Sequence, residues 1–327
     1  MDNDATVIRV FYTAFASDDV YRAIRAAAPS GCEVLTLSKD TPQERLRCAE
    51  ACDVMIAATS RLSGAEIDAS PRLQLVVHQG VGYEDSVDLA ALRRRNIRLA
   101  ITPDGIAEAV AEHAIMLMLM VYRHAALCDR NIRQGTFDRQ TFRLRSRNLH
   151  GRHVGFVGMG RIAQAAAQRL RAFGVSMSYT NMSGPLSPER ENDLGIRWMS
   201  LPELLRNSEV LSLHLPLSDQ TRGMIDADAL RLMPRGSILI NTSRGGLVDE
   251  GALCDAIRRE HLLGAGLDAF MEEPLPSSHP LCMLPTVVLT PHNAVGTLDT
   301  FQKRMAAIFA NVAQFRDSGT LANEIVL

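Results

Sequence analysis

The chain has 327 residues, more than one domain usually holds, and its hydrophobic content of 46% is enough for two buried cores. Because 35 basic residues nearly balance 37 acidic ones, the composition excludes the basic face that nucleic-acid binding needs and favours a small-molecule partner. The six cysteines include no zinc-type Cys-x-x-Cys pair, which predicts reduced thiols in a cytoplasmic protein and no metal site. The acidic start lacks the pattern of a signal peptide, and the apolar run Ala114 to Val121 is too short to cross a membrane.

The first hundred residues alternate short apolar segments with amphipathic ones. Strands are predicted at Val7 to Phe11, Glu33 to Leu37, Val54 to Ala57, Leu73 to Val77 and Ile97 to Ala100. Helices are predicted at Asp18 to Ala28, Pro42 to Cys52, Ser63 to Asp68 and Val87 to Arg95. This alternation predicts a doubly wound α/β domain, in which helices cover both faces of a parallel sheet.

Two loops of this half follow predicted strands at their carboxyl ends, where open α/β sheets bind ligands. One is Ala58-Thr59-Ser60-Arg61, and the other runs from His78 through Gly80 and Gly82 to Tyr83. Glycines in such a loop expose backbone N–H groups that suit a carboxylate. Two ordinary turns would explain the same residues, so the loops alone leave both interpretations open.

The middle of the chain changes character twice. Ala107 to His124 is apolar nearly all round, which predicts a helix buried between domains or subunits, with its methionines as core residues. Asp129 to Asn148 is basic and irregular and carries isolated aromatics at Phe137 and Phe142. We interpret this second segment as an arm that contacts the partner subunit of a dimer.

A glycine turn then separates a strand from a helix in the segment His153 to Ala163. Gly158 allows a sharp turn, Gly160 leaves space for a pyrophosphate, and Ala163 allows close packing of helix on strand. The helix Ile162 to Phe173 and the strand Val175 to Tyr179 complete a βαβ unit. The phosphates are expected at the helix N-terminus, where Arg161 adds a charge.

The second half repeats strands and helices to its end. Strands are predicted at Val210 to Leu213, Ser237 to Ile240, Leu263 to Leu267 and Val287 to Leu289, and helices after Ser200, at Asp226 to Met233, after Asp249 and at Phe301 to Asp317. Four polar residues, Arg244, Asp268, Glu273 and His292, follow these strands. Each alone has an ordinary structural explanation, but together and behind a dinucleotide fingerprint they predict an active site.

The ordered motifs resemble those of the D-isomer-specific 2-hydroxyacid dehydrogenase family over nearly the whole chain. They are Gly80-Val81-Gly82, Val110-Ala111-Glu112-His113, Gly158-Met159-Gly160-Arg161-Ile162-Ala163, Asn241-Thr242-Ser243-Arg244-Gly245, Gly264-Ala265-Gly266-Leu267-Asp268, Glu273-Pro274 and Thr290-Pro291-His292. The resemblance implies a Rossmann dinucleotide-binding domain, residues 102–291, inserted into a flavodoxin-like substrate domain made of residues 1–101 and 292–327. It also implies an active site in the cleft and a homodimer.

The resemblance also implies roles for individual residues. His292 would be the general acid/base, Glu273 its partner, and Arg244 the residue that binds the substrate carboxylate and keto oxygen. Substrate binding would involve Ser60, His78, Gly80, Val81 and Gly82, with the backbone N–H groups of Val81 and Gly82 on the carboxylate. Cofactor binding would involve Gly158, Gly160, Arg161, Ile162, Asn181, His214, Pro216, Thr242 and Asp268, the last on the nicotinamide carboxamide.

One departure from the family pattern concerns the cofactor. Where the family usually has an Asp that binds the adenosine ribose, this chain has Asn181, followed by Met182 and Ser183 rather than by an arginine. A neutral amide neither repels nor attracts a 2′-phosphate. We therefore expect NAD or NADP as cofactor, with weak discrimination between them.

The predicted function is hydride transfer between NAD(P)H and a small 2-keto acid or D-2-hydroxy acid, with glyoxylate or hydroxypyruvate as the leading substrate. D-3-phosphoglycerate or a bulkier keto acid stays open, because specificity would depend on Thr59, Ser60, Arg61, His78 and Gln79, and on Phe137 or Phe142 of the partner subunit. Formate is disfavoured, because Glu273 occupies the position of a glutamine in formate dehydrogenases. A dinucleotide-sensing corepressor and a methyltransferase that binds S-adenosylmethionine are the alternatives from other classes.

Overall fold

The structure, a computed structural model, describes residues 7–58 and 60–327. The acidic N-terminal residues and Thr59, one of the predicted specificity positions, lie outside the described residues. The chain divides into two compact units, of which the first runs through Ile106 and resumes at Thr297–Leu327 and the second is Ala107–Gly296. The sequence predicted these divisions after residues 101 and 291, which would assign His292 to the returning segment. In the structure His292 lies in the second unit.

The elements follow the predicted alternation. The first stretch holds β1 (Ile8–Tyr12), α1 (Asp18–Ala27), β2 (Cys32–Leu35), α2 (Pro42–Ala51), β3 (Val54–Ala57), α3 (Gly64–Asp68), β4 (Leu75–His78), α4 (Leu89–Arg95) and β5 (Arg98–Ile101). Next come α5 (Ile106–Tyr122), α6 (Ala125–Arg133), β6 (His153–Val157), α7 (Arg161–Leu170), β7 (Ser176–Thr180), α8 (Pro188–Leu194), β8 (Arg197–Trp198), α9 (Leu201–Asn207), β9 (Val210–Leu213), α10 (Ala227–Leu232), β10 (Ser237–Asn241), α11 (Glu250–Arg258), β11 (Leu262–Leu267) and β12 (Val287–Leu289). The chain closes with α12 (Leu298–Ser318) and β13 (Glu324–Ile325).

The first unit is built on a six-stranded sheet in the order β2-β1-β3-β4-β5-β13. All its strand pairs are parallel except the pair of β13 with β5, which is antiparallel. Apolar side chains are buried on both faces of this sheet. Met55 and Ile56, consecutive residues of β3 that point to opposite faces, belong to different core clusters. Helices therefore cover both faces, which confirms the doubly wound class.

The second unit is built on a seven-stranded parallel sheet in the order β8-β7-β6-β9-β10-β11-β12. The strand order reverses between β6 and β9, so the loops that follow these two strands diverge to opposite faces of the sheet. Ligands of open α/β sheets bind at such a switch point. The predicted glycine turn follows β6 and therefore lies at this position.

Some local predictions were wrong. The first residues of the segment Asp129 to Asn148 are helical, since α6 extends to Arg133. Met118 is buried as expected for a core residue, but Met116 is 39% exposed. Cys48 and Cys52 are both buried in one core cluster of the first unit and act there as packing residues. No helix among residues 7–58 and 60–327 is long and apolar enough to cross a membrane.

Candidate active site

The glycine turn after β6 has two glycines with different physical requirements. Gly158 has φ +89°, and a Cβ there would lie 2.4 Å from the carbonyl oxygen of His214, so only glycine fits. Gly160 has an ordinary φ, and a Cβ on it would meet no atom within 4 Å. The packing of the described residues therefore gives no reason for glycine at position 160, whereas an approaching pyrophosphate does.

Other loops at the same edge of this sheet also fit a dinucleotide. No side chain among the described residues caps the N-terminus of α7, so its first N–H groups are available to an anion. After β9 and β10, His214 Nδ1 and Thr242 Oγ1 are buried and make no hydrogen bond in the described part of the chain. Burial lowers the pKa of His214 to about 4, so its ring is neutral. Such unsatisfied polar atoms are expected where a bound ligand supplies the partners.

Asn181 follows β7 and holds the glycine turn directly. Its Oδ1 accepts a hydrogen bond of 2.6 Å from the backbone N–H of Met159. The side chain of Gln164 donates to the Met159 carbonyl oxygen at 3.0 Å and accepts two hydrogen bonds from Arg190. Arg190 therefore folds back towards the glycine turn, which the sequence did not indicate, and it also pairs with Asp193.

The pair of His292 and Glu273 forms the centre of the candidate site. His292 Nδ1 lies 2.7 Å from Glu273 Oε2, and the other carboxylate oxygen accepts a hydrogen bond of 2.9 Å from the Phe270 N–H. Because an ionised carboxylate only accepts, Nδ1 is the donor and Nε2 is left for a substrate. His292 has φ +49°, a conformation that histidine tolerates better than most residues.

Each member of this pair stabilises the charged form of the other. The hydrogen bond to Glu273 raises the pKa of His292 above its ordinary value, against the opposing effects of burial and of the positive charge on Arg244. Burial raises the pKa of Glu273, but the hydrogen bonds from His292 and Phe270 outweigh it, so the net shift is downward. An imidazolium held by a carboxylate is the arrangement that a general acid needs near neutral pH.

Arg244 is positioned by the loop after β10. Asn241 is buried, and its side chain donates to the Arg244 carbonyl oxygen at 2.8 Å and accepts from the Ser243 N–H at 3.0 Å. The charge of Arg244 lowers the pKa of both His292 and Glu273, so the guanidinium lies near the pair. The structure thus brings together the three residues that the sequence singled out as catalytic.

Asp268 lies at the tip of β11 and is 1% exposed. Its carboxylate accepts hydrogen bonds from Thr290 Oγ1 at 2.6 Å, the Asn293 N–H at 3.0 Å and the Ala294 N–H at 2.8 Å. These contacts fix the loop that carries His292. Contact with a nicotinamide carboxamide, the role that the resemblance implied, stays a prediction.

His113, on α5, extends the contacts of Asp268. Its Nε2 lies 3.0 Å from Thr290 Oγ1 and 3.6 Å from Asp268 Oδ1. Burial lowers the pKa of His113, while the charge of Asp268 acts in the opposite direction. The sequence identified His113 only as part of a motif, and its contacts assign it to the support of the His292 loop.

The first unit holds the residues predicted to bind the substrate carboxylate. Ser60 Oγ donates to the Thr13 carbonyl oxygen at 3.2 Å and accepts from Arg45 at 3.3 Å. Val81 is 41% exposed, and its N–H donates to no atom of the described residues. Val81 therefore presents a donor of the kind that a carboxylate accepts.

His78 packs against the turn Gly80–Gly82 and stabilises it. His78 is 6% exposed, and its Nε2 lies 2.9 Å from Ser86 Oγ, which donates to the Gly82 carbonyl oxygen at 2.9 Å. A Cβ on Gly80 would lie 3.1 Å from the ring. The resemblance implied a substrate-binding role for His78, which stays a prediction, and the sequence gave no indication of these supporting contacts.

The chain is similar to known proteins in sequence and in structure. A family model described as "D-isomer specific 2-hydroxyacid dehydrogenase, NAD binding domain" matches residues 115–294. A glyoxylate reductase of Korarchaeum cryptofilum is 35% identical over 268 residues, or 81% of this chain and 80% of that protein. A D-3-phosphoglycerate dehydrogenase of Mycobacterium bovis is 39% identical over 251 residues, or 76% of this chain but 46% of its own length. The crystal structure of the TT0316 protein from Thermus thermophilus has a TM-score of 0.86 and 34% identity, covering 98% of this chain and 100% of that one.

The matched range of the family model includes the candidate catalytic residues. The family model spans β6 with its glycine turn, the strand tips that carry Arg244 and Asp268, and the loop of His292. The predicted family, the α/β fold with a Rossmann domain and the use of NAD(P) are confirmed. The chain belongs to the D-isomer-specific 2-hydroxyacid dehydrogenase family and is an NAD(P)-dependent oxidoreductase of 2-hydroxy acids.

Proposed function

We propose that this enzyme reduces glyoxylate or hydroxypyruvate, small 2-keto acids, to the corresponding 2-hydroxy acid. The observation that carries the proposal is the 2.7 Å pair of His292 and Glu273 beside the charge of Arg244. A proton donor next to a cation that binds a carboxylate is what reduction of a 2-keto acid requires. The glyoxylate reductase relative, whose length matches this chain closely, supports the small substrate.

The proposed mechanism assigns a separate task to each side chain. NAD(P)H, when bound, would supply the hydride. His292 donates the proton from Nε2 to the carbonyl oxygen of the substrate. Arg244 binds the carboxylate and the keto oxygen, where negative charge develops. Glu273 stays ionised and stabilises the imidazolium of His292 before the proton leaves. In the oxidising direction, neutral His292 accepts the hydroxyl proton.

The carboxylate is also proposed to accept hydrogen bonds from the turn Gly80–Gly82, with Val81 and Gly82 as donors. The exposed Val81 N–H supports this assignment, because it has no other acceptor among the described residues. Ser60 and His78 are proposed to hold the shape of this substrate site.

Initial rates over a panel of keto acids test the proposal. We expect the highest kcat/KM for glyoxylate or hydroxypyruvate, lower values for phenylpyruvate, and formation of the D-hydroxy acid from hydroxypyruvate. A clear preference for 3-phosphohydroxypyruvate would replace the proposal by D-3-phosphoglycerate dehydrogenase activity, which the M. bovis relative suggests. Tight NADH binding without turnover of any keto acid would instead favour a dinucleotide-sensing corepressor.

We also propose that the enzyme is a cytoplasmic homodimer. Ile132, Phe137 and Leu144 are exposed apolar residues within the predicted arm, which supports burial against a second copy. The six cysteines are all unpaired in the structure, which supports a reducing compartment. Light scattering that gives the mass of one chain at micromolar concentration would refute the dimer.

The cofactor preference is the first mutational prediction. Asn181 Oδ1 is already used by the Met159 N–H, which leaves an amide group that neither repels nor strongly attracts a 2′-phosphate. We expect wild-type kcat/KM values for NADH and NADPH within about a thousandfold, roughly 4 kcal/mol. In Asn181→Asp, one oxygen keeps the Met159 bond and the other accepts from the ribose, so the preference should move towards NADH.

The opposite change supplies the control. Ser183→Arg adds a cation beside the ribose position and should move the preference towards NADPH. Both variants should keep their kcat with a saturating preferred cofactor, because neither residue touches the reacting atoms. A wild-type preference for NADH far beyond a thousandfold, or an Asn181→Asp variant with an unchanged ratio, would contradict this role of Asn181.

A further inference from the structure

Arg304 is a buried cation of the first unit that the mechanism does not use. It lies on α12 with 6% of its surface exposed, and one terminal nitrogen donates to the carbonyl oxygen of Gln79 at 2.9 Å. No carboxylate of residues 7–58 and 60–327 lies within ion-pair distance of it, and its Nε has no hydrogen-bond partner there. Arg316, further along the same helix, is exposed and pairs with Asp317, which is the common situation for an arginine.

A buried charge without a counter-charge is unfavourable for the chain. Burial lowers the pKa of Arg304, but a guanidinium remains protonated in proteins, so the positive charge persists inside the unit. Buried charges are usually paired, and unpaired ones recur where a ligand provides the opposite charge. The missing negative charge is therefore expected close to the position that Arg304 faces.

That position is the turn Gly80–Gly82. Gln79, the acceptor of Arg304, immediately precedes Gly80, and the Thr102 N–H donates to the Gly80 carbonyl oxygen at 3.1 Å to hold the turn in place. The next donor along the chain is the exposed Val81 N–H, which has no acceptor in the described part of the molecule. A hydrogen bond from a cation to the Gln79 carbonyl also polarises the adjoining peptide groups in the direction that favours an anion.

The other polar groups around Arg304 provide no negative charge at neutral pH. Tyr12 faces it from β1, and burial raises the pKa of Tyr12 to about 12, against the opposing charge of Arg304. His78, at the end of β4, contacts the same turn, and Lys303 precedes Arg304 on α12. Neither residue carries a negative charge. Gln79 Oε1 is buried, uncharged and without a partner in the described residues.

We propose that Arg304 is a specificity-determining positioning residue, which holds the turn Gly80–Gly82 and supplies the fixed positive charge that selects a substrate with a carboxylate over its neutral analogue. The proposal rests on the proposed function, in which this turn binds the carboxylate of the keto acid. Arg304 acts through Gln79 and the turn and does not touch the substrate. Its charge should therefore affect KM for the acid far more than kcat.

Removing the charge is the first test. Arg304→Met should raise KM for glyoxylate at least about tenfold, the loss expected when a unit charge several ångströms from an anion disappears in a medium of intermediate polarity. It should change kcat and the kcat/KM for methyl glyoxylate less than about threefold. Arg316→Gln, on the same helix, should leave all three parameters unchanged. Equal losses for acid and ester in Arg304→Met would overturn the proposal in favour of a purely structural role.

Arg304→Lys provides a test that a folding defect cannot imitate. Burial lowers the pKa of a lysine much more readily than it deprotonates an arginine, so this variant should bind glyoxylate well at low pH and lose affinity as the pH rises. The wild type contains the same Tyr12 and His78, so its pH profile of KM serves as the reference. A KM defect in Arg304→Lys that is the same at every pH would contradict the proposed charge effect.

Binding of oxalate separates this proposal from the proposed function. Calorimetry on the complex with NADH measures oxalate affinity without any turnover. We expect Arg304→Met to weaken oxalate binding at least about tenfold and to leave NADH binding unchanged. If the wild type turns over no keto acid but Arg304→Met binds oxalate more weakly than the wild type, the proposed function is wrong and the anion site at the turn Gly80–Gly82 is supported. If oxalate binds both proteins equally, the anion site fails whatever the substrate is.

Discussion

The variant His292→Ala is expected to lower kcat for keto-acid reduction by about two to four orders of magnitude, the usual contribution of a general acid. This loss corresponds to roughly 3 to 5 kcal/mol of transition-state stabilisation. The reason is that Nδ1 is committed to Glu273 at 2.7 Å, so Nε2 is the ring nitrogen that can deliver the proton. Dinucleotide binding, measured by NADH fluorescence, should be unchanged. A His292→Ala enzyme with near-wild-type kcat would show that the proton comes from another group.

Glu273→Gln tests how the partner of His292 affects the proton donor. The substitution keeps the shape of the residue 273 side chain and removes its negative charge. Glu273 raises the pKa of His292, and reduction needs the protonated ring, so kcat should be high below this pKa and fall as the pH rises through it. In Glu273→Gln the pKa of His292 should decrease, and the fall in kcat should begin at a lower pH. The same pH profile in both proteins would mean that Glu273 does not control this proton.

Buried strands were the most predictable part of the fold. The predicted bounds of β3, β9 and β12 agree with the structure to the residue, because a strand covered on both faces is a short and mostly apolar run. The strands β8 and β13 were missed, since each has two residues and is defined by its pairing at a sheet edge. Nothing in Arg197–Trp198 or Glu324–Ile325 indicates such a pairing.

The sequence could predict which loops form the candidate site, because the topology of the sheet alone determines which loops lie together. Parallel strands bring their carboxyl ends to one edge, so Arg244 after β10 and Asp268 after β11 could be placed together from the order of elements. The orientation of the side chains was not predictable in this way. Spacing indicates which loop His78 and Asp268 occupy, but it does not show that His78 contacts Ser86 or that Asp268 fixes the His292 loop.

Arg304 was missed although the sequence carries a signal for it. Residues 301, 304, 305 and 308 share one face of a helix, and in Phe301, Arg304, Met305 and Ile308 the arginine is the one charged member of that apolar face. A charged residue on a buried face requires a partner, so this pattern is informative. Its partner, the Gln79 carbonyl oxygen, is 225 residues away in sequence and could be identified only from the structure.

Replacing Arg244 by lysine is expected to be severe although the charge is kept. The guanidinium presents two parallel N–H donors to a carboxylate, and an ammonium cannot reproduce that geometry. A hydrogen bond to a charged group contributes about 1.5 to 3 kcal/mol. Losing one should therefore lower kcat/KM for the keto acid roughly ten- to a hundredfold. Arg258→Lys, an exposed change of the same kind on α11, should have no effect.

Two comparisons show whether Arg244 acts through the carboxylate. In Arg244→Lys, kcat/KM should fall far more for glyoxylate than for methyl glyoxylate, because the ester group carries no negative charge for the guanidinium to bind. In Arg244→Gln, the loss of the positive charge should also raise the pKa of His292 further, since Arg244 lowers it in the wild type. The decrease of kcat with rising pH should then move to a higher pH in Arg244→Gln than in Arg244→Lys. Equal losses for acid and ester, together with an unchanged pH profile, would place Arg244 outside both substrate binding and the electrostatics of the proton donor.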